Sequence, residues 1–117
     1  VIRRRGENIS SFEVEAELLR HPDIREAAAI AVPSPYGEDD VMVVVASLPG
    51  SSLTAEALFE HLRPRMAHFM LPRYIRFMAA LPKTPSLRTQ KHMLRAEGVT
   101  EDSWDREAAG IKVRRDA

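Results

Sequence analysis

Apolar positions along this chain follow two rhythms, and each change of rhythm marks an element. Residues 24–32 and 41–46 are short apolar runs bounded by Pro33, Pro35 and the Pro49-Gly50 pair. The second run, Val-Met-Val-Val-Val-Ala, is β-branched enough for a buried strand. The first contains Ala27, Ala28 and Ala29, which suit a helix equally well. The prolines that stop it and the run that follows favour a strand. Residues 74–78 alternate and predict a third strand.

Helical spacing appears elsewhere. Ser10 followed by Glu13 is a capping box. The helix it opens is predicted to run to about Arg20, before His21-Pro22, with Phe12, Val14, Ala16, Leu18 and Leu19 as its apolar stripe. Thr54 caps a second helix carrying Ala55, Leu58, Phe59 and Leu62. Pro64 should kink or end it, with Met66, Phe69 and Met70 continuing the stripe. Residues 90–97 read as a short helix stopped by Gly98, and Thr100 is expected to cap a last helical stretch through Trp104 to Gly110. At the other end, residues 1–5 read as a strand, Gly6 as its break and Glu7-Asn8 as a turn. The expected fold is therefore a small α+β sandwich: a sheet of about three strands plus an N-terminal β-hairpin, flanked by helices.

With 117 residues the chain has room for one domain, spanning 1–117, and for a core without staples. It begins with Val rather than Met and enters its first strand at once, which reads as a piece of something longer. Cysteine is absent, which excludes disulfides, thiolate metal sites and cysteine nucleophiles. No apolar run approaches the ~18 residues of a membrane span, and nothing resembles a signal peptide. A soluble, cytoplasmic domain is the default expectation.

The formal net charge of zero is a sum of unlike parts. Residues 1–60 carry −6, whereas residues 61–98 hold eight basic side chains against Glu97 alone. Such a block suggests a surface for phosphate, nucleotide or an acidic partner, or else a solvated basic face. A stand-alone module docking this segment on nucleic acid or an acidic protein is the alternative function.

Local chemistry is mostly excluded. Five dispersed glycines cannot write a phosphate loop or a dinucleotide fingerprint. His21, His61, His68 and His92 lack metal-ligand spacing, although His61 and His68 could share a face. Glu38-Asp39-Asp40 reads as an acidic turn with at most weak cation affinity. No self-sufficient active site is visible.

Four ordered segments carry more. They are residues 2–10 (IRRRGENIS), 32–38 (VPSPYGE), 71–73 (LPR) and 80–95 (ALPKTPSLRTQKHMLR). Together they resemble the C-terminal domain of the adenylate-forming superfamily, which comprises acyl-CoA synthetases, nonribosomal adenylation domains and luciferases. The tail 102–110 (DSWDREAAG) is similar to that of crotonobetaine/carnitine-CoA ligase-type bacterial acyl-CoA ligases.

The resemblance implies the small lid of an ATP-dependent acyl-CoA ligase, inactive alone. Its expected partner is an N-terminal adenylation domain that binds ATP, Mg and the carboxylic acid, so this domain alone would bind no cofactor or metal. In one orientation a lysine on the loop before the last helix serves adenylation; in the other, the first β-turn approaches the acyl-adenylate beside the pantetheine tunnel of CoA. The hinge would fall just before Val1. Gly6 and Glu7 then belong to the thioester site. Tyr36, Phe69 and Arg73 are candidate CoA contacts, by ring stacking and by a guanidinium on phosphate. The family's Ser-Gly-Lys stands here as Ser86-Leu87-Arg88, so Arg88 occupies the adenylation position with a wider, planar cation. Three readings of that change stay open: a working arginine variant, a homologue specialised for thioester formation, or a protein weak in adenylation. Lys83 and Lys91 match other basic positions of the motif.

Overall fold

A computed structural model describes residues 2–4, 7–33, 39–67, 70–83, 85 and 90–110, with the side chains of Arg3, Arg4, Glu7 and Asn8 outside that description. Its centre is strand β4 (Asp39–Ser47), buried on both faces along its apolar run. A strand covered on both sides reads as a continuous apolar run rather than an alternating one. β3 (Ile24–Pro33) pairs antiparallel with β4, setting Ala27 opposite Val45, Ala28 opposite Val44 and Ala29 opposite Val43. This pairing decides the ambiguity of the alanine run, because its neighbours supply the fit to a pleated surface that alanine itself lacks.

β5 (Tyr74–Phe77) lies parallel to β4 on its other side. Parallel neighbours need a crossover, and α2 (Ala55–Leu62) lies within it. The helix ends at Arg63, whose N–H donates to the Phe59 carbonyl, one residue before Pro64. Met66 then turns back into the core and Met70 packs at its margin, so neither extends a helical stripe.

Before this sheet the chain forms a hairpin, β1 (Ile2–Arg4) and β2 (Glu7–Ile9), with Arg4 opposite Glu7. Glu7 and Asn8, expected in the turn, are strand residues. Ser10 caps α1 (Ser11–Leu19) by accepting the Glu13 N–H at 3.3 Å, and Thr54 Oγ1 caps α2 through the Ala57 N–H at 3.1 Å. α3 (Lys91–Glu97) stops at Gly98, whose φ of +61° favours glycine. The expected α1 stripe is corrected: Val14 and Leu18 are buried, whereas Phe12 and Leu19 are exposed. At 100° per residue, positions 14 and 18 share a face while 12 and 19 lie on the opposite one.

The expected helix over 100–110 is also overturned. Thr100 and Ser103 close a turn, and Trp104–Asp105 then form β6, antiparallel to β5. Among the described residues the sheet order is thus β3-β4-β5-β6, one short strand added to the expected sheet of about three. Long-range partners outweigh the local helical signal: the Trp104 ring lies 5.8 Å from that of Phe59, and Asp105 is held by Arg73.

Side-chain alternation divides the interior into two cores. One face carries Ala29, Val41, Val43, Val45 and Ile75, covered by Val14 and Leu18 of α1, Leu58, Phe59 and Leu62 of α2, and Ile2 and Ile9 of the hairpin. The other carries Ala28, Ile30, Val32, Met42 and Val44, covered by Leu81 and Leu94 of α3.

Candidate functional site

The two segments singled out by sequence are anchored to opposite faces of the sheet. Ile2 and Ile9 pair across the hairpin and are almost completely buried in the α1/α2 core. The flanks of the Arg88 segment, residues 81–83 and 90–94, lie on the α3 side. There Gln90 donates its backbone N–H to the Pro82 carbonyl at 2.8 Å and its side-chain amide to the Lys83 carbonyl at 3.0 Å. These bonds bring residues 82 and 90 together between the buried Leu81 and Leu94. Gly6, Tyr36, Phe69 and Arg88 themselves lie outside the described residues, and Glu7 is placed by its backbone alone.

Lys83 and Lys91 have other employment. Lys83 pairs with Glu26 on β3, and Lys91 with Glu15 on α1. Glu15 also accepts the Ala29 N–H at 2.8 Å, so one carboxylate joins α1, α3 and the edge strand.

Arg73, expected to meet a CoA phosphate, is enclosed by acids. Its Nη1 lies 3.1 Å from Asp40 Oδ2, while Nε and Nη2 reach the two oxygens of Asp105 at 3.2 and 3.3 Å. Glu107 completes the ring at 3.5 Å, and the guanidinium lies 4.9 Å from the Tyr74 ring centre. Burial alone would favour loss of the Arg73 proton, but the bonds to Asp105 and Asp40 outweigh it and raise its pKa. Burial likewise pushes the Asp105 carboxyl up, yet the Arg73 hydrogen bonds and the Glu107 N–H hold it below the usual aspartate value. Backbone bonds reinforce the cluster: the Arg73 N–H meets the Val41 carbonyl, and the Arg73 carbonyl accepts the Arg106 N–H. Of the expected acidic turn, Asp39 and Asp40 sit in strand β4 and Glu38 lies outside the described residues; the cation beside Asp40 is a guanidinium of the same chain. The position of Asp40 at the head of an otherwise apolar buried run was the available signal. Asp105 gave none, being 32 residues from Arg73.

The basic segment 61–98 is likewise folded against acids from elsewhere. Arg76, only 12% exposed, pairs with Glu97 at 3.0 Å and Asp102 at 3.3 Å. Arg63 pairs with Glu60. Thus five of the seven described cations have a carboxylate within 4.0 Å. A polyanion-binding face needs cations free to meet phosphate, so the alternative of a nucleic-acid module finds no support here.

The histidine expectation changes partner. His61 meets His21, ring centres 4.7 Å apart and edge to face, while His68 lies outside the described residues. Burial, then Arg65 and His21, lower the His61 pKa against the opposing pull of Glu17. Among the described residues no group of three or more His, Asp or Glu side chains could hold a metal ion, and no helix is long and apolar enough to cross a membrane.

Comparison with known proteins agrees with this architecture. The family model of the AMP-binding enzyme C-terminal domain matches residues 13–88. The medium/long-chain-fatty-acid–CoA ligase FadD17 of Mycobacterium tuberculosis is 36% identical over 96 residues, 80% of this chain and 19% of that protein. The crotonobetaine/carnitine–CoA ligase of Proteus mirabilis is 33% identical over 94 residues, 80% of this chain and 18% of that protein. The crystal structure of an acyl-CoA synthetase from Brucella canis superposes with a TM-score of 0.72 at 39% identity, covering 78% of this chain and 17% of that one. The chain spans less than a fifth of the length of each.

Proposed function

Because the chain belongs to the family of AMP-binding enzyme C-terminal domains, we propose that residues 1–117 are the mobile lid of an AMP-forming acyl-CoA ligase. The observation that carries this reading is the anchoring of the hairpin and of the 82–90 loop on opposite faces of one sheet. A rigid lid built this way presents one segment or the other when it turns over a large domain.

In the first orientation the Arg88 loop faces the large domain. The substrate carboxylate attacks the α-phosphate of ATP, pyrophosphate leaves, and Arg88 stabilises the charge gathering on the carboxylate and phosphate oxygens. Mg, held by the large domain, supplies further neutralisation of the phosphates. In the second orientation the hairpin faces the acyl-adenylate. The CoA thiol attacks the acyl carbonyl, the carbonyl–phosphate oxygen bond breaks, and AMP leaves. Gly6 allows backbone to approach closely there, beside Glu7. Tyr36 and Phe69 contact CoA, while Arg73, committed to three carboxylates, holds the frame on which they are carried. The acid is chosen by the large domain, and the enzyme works in the cytoplasm, where ATP and CoA are supplied.

The test uses the full-length ligase with Arg88→Ala and Arg88→Lys. Arg88→Ala is expected to lower ATP–pyrophosphate exchange by about a hundredfold, with Arg88→Lys restoring much of it. Unchanged exchange in Arg88→Ala would remove Arg88 from the mechanism.

A further inference from the structure

Among the described residues, two of the three helices begin as helix chemistry prescribes, and one does not. Ser10 and Thr54 cap α1 and α2 with their hydroxyls, and Glu13 and Glu56 place a carboxylate in each first turn. α3 starts instead from Gln90, whose side chain makes no cap bond. Its first residue is the cation Lys91, and its first turn holds no acid. A helix only seven residues long can least spare these contributions. Where a local rule is broken, the residues that break it usually serve something else.

Their partners show what is served. Gln90 turns its amide backward and donates an Nε2–H to the Lys83 carbonyl at 3.0 Å, beside its backbone N–H on the Pro82 carbonyl at 2.8 Å. Lys83 and Lys91, on either side, each meet a carboxylate. Lys83 pairs with Glu26 of β3, and Lys91 with Glu15, which also accepts the Ala29 N–H of β3 at 2.8 Å. Lys91 Nζ lies 3.4 Å from Ser11 Oγ as well. The chain thus leaves at Lys83 and returns at Gln90 to one place, and both ends are tied, directly or through Glu15, to β3.

We propose that Gln90 is a positioning residue for the adenylation half-reaction, its side-chain amide closing the base of the segment that carries Arg88. The inference rests on the lid reading above and deepens it. Arg88 precedes Gln90 by two residues, so its backbone stays within about 7 Å of this clasp. A cation that stabilises charge in the transition state must be held in place beforehand, because about 1 Å of misplacement can cost about a hundredfold in rate. A single backbone bond at Pro82 would let the segment pivot. The amide adds a second bond one residue away and fixes the direction in which the chain departs.

The test uses the full-length ligase, with the carboxylic acid that wild type exchanges fastest from a straight-chain panel. Gln90→Ser removes the amide and installs a preferred cap, so hydrogen-exchange protection of α3 should be kept or raised. ATP–pyrophosphate exchange is expected to fall by about tenfold, in kcat rather than in the KM for ATP. CoA thiolysis of preformed acyl-adenylate should stay within about twofold of wild type. Exchange at the wild-type rate, or equal loss of both half-reactions, overturns the proposal. So does lost protection of α3, which would make Gln90 a stabilising residue only. A cycle with Arg88→Ala supplies the second readout. If Gln90 acts through Arg88, Gln90→Ser should cost nothing further in the Arg88→Ala background, whereas losses that multiply contradict the proposal. Wild-type exchange in Arg88→Ala overturns the adenylation reading and the clasp together. Impaired exchange in Arg88→Ala with Gln90→Ser unaffected overturns the clasp alone.

Discussion

The two faces of the sheet are built to different strengths. On the hairpin face fifteen buried apolar residues form one cluster under two helices and a hairpin. On the other, among the described residues, the cluster has seven, of which Leu81 and α3's Leu94 cover the five on the sheet. A seven-residue helix has little stability of its own, so α3 depends on what it packs against. Charge supplements the thin side: Lys91 reaches Glu15 on α1, and Glu97 reaches Arg76 on β5. The thick face holds the hairpin and α1 as one body, while the thin face holds residues 81–83 and α3, the element expected to lose protection first.

Truncation on each side should separate the faces most widely. Phe59 is fully buried and meets Trp104, with Arg106 above its ring, so Phe59→Ala is expected to cost about 3–5 kcal/mol in denaturant unfolding. Leu94→Ala should cost about 2–3 kcal/mol, and hydrogen exchange should show α3 losing protection while the β4 amides keep theirs. Equal loss of protection on both faces would erase the distinction.

A smaller effect is expected where the faces meet. Arg73 lies over Tyr74, which packs on the thin side, and binds Asp105 next to Trp104 of the thick side. Arg73→Met keeps the stem but leaves Asp40 and Asp105 without their guanidinium; about 2 kcal/mol is expected, moderated by the exposure of Glu107. The sign of its pH dependence follows from Asp105, whose pKa is depressed in the folded chain. Stability from this pair is complete above the ordinary aspartate value near ~4 and is lost as pH falls through the lower folded value. A thermal midpoint followed below about pH 4 should fall more steeply in wild type than in Arg73→Met. Parallel curves would show that Arg73 does not hold Asp105.

Sequence pattern made β3, β4, β5 and all three helices legible, because prolines, caps and periodicity are local signals. It failed where structure is decided by distant partners. β6 is two residues long and exists through Arg73 and Phe59, while its own composition favours a helix. The basic block looked like an anion-binding surface because order along the chain does not reveal that Glu15, Glu26, Asp40 and Asp105 fold onto it. The α1 stripe differs for another reason: its five apolar residues fall on two faces of the helix, and local spacing alone does not say which face is buried. Candidate site residues came from motif resemblance, since none of them carries chemistry recognisable from its neighbours alone.

On the proposed function, opposite faces of one lid serve opposite half-reactions. Single-turnover kinetics of the full-length ligase tests it most directly, comparing Arg88→Ala with Gly6→Val for acyl-adenylate formation and for thiolysis of preformed adenylate. The account predicts a crossover: Arg88→Ala slows adenylate formation and spares thiolysis, while Gly6→Val does the reverse. Both variants slowing the same half-reaction would contradict it.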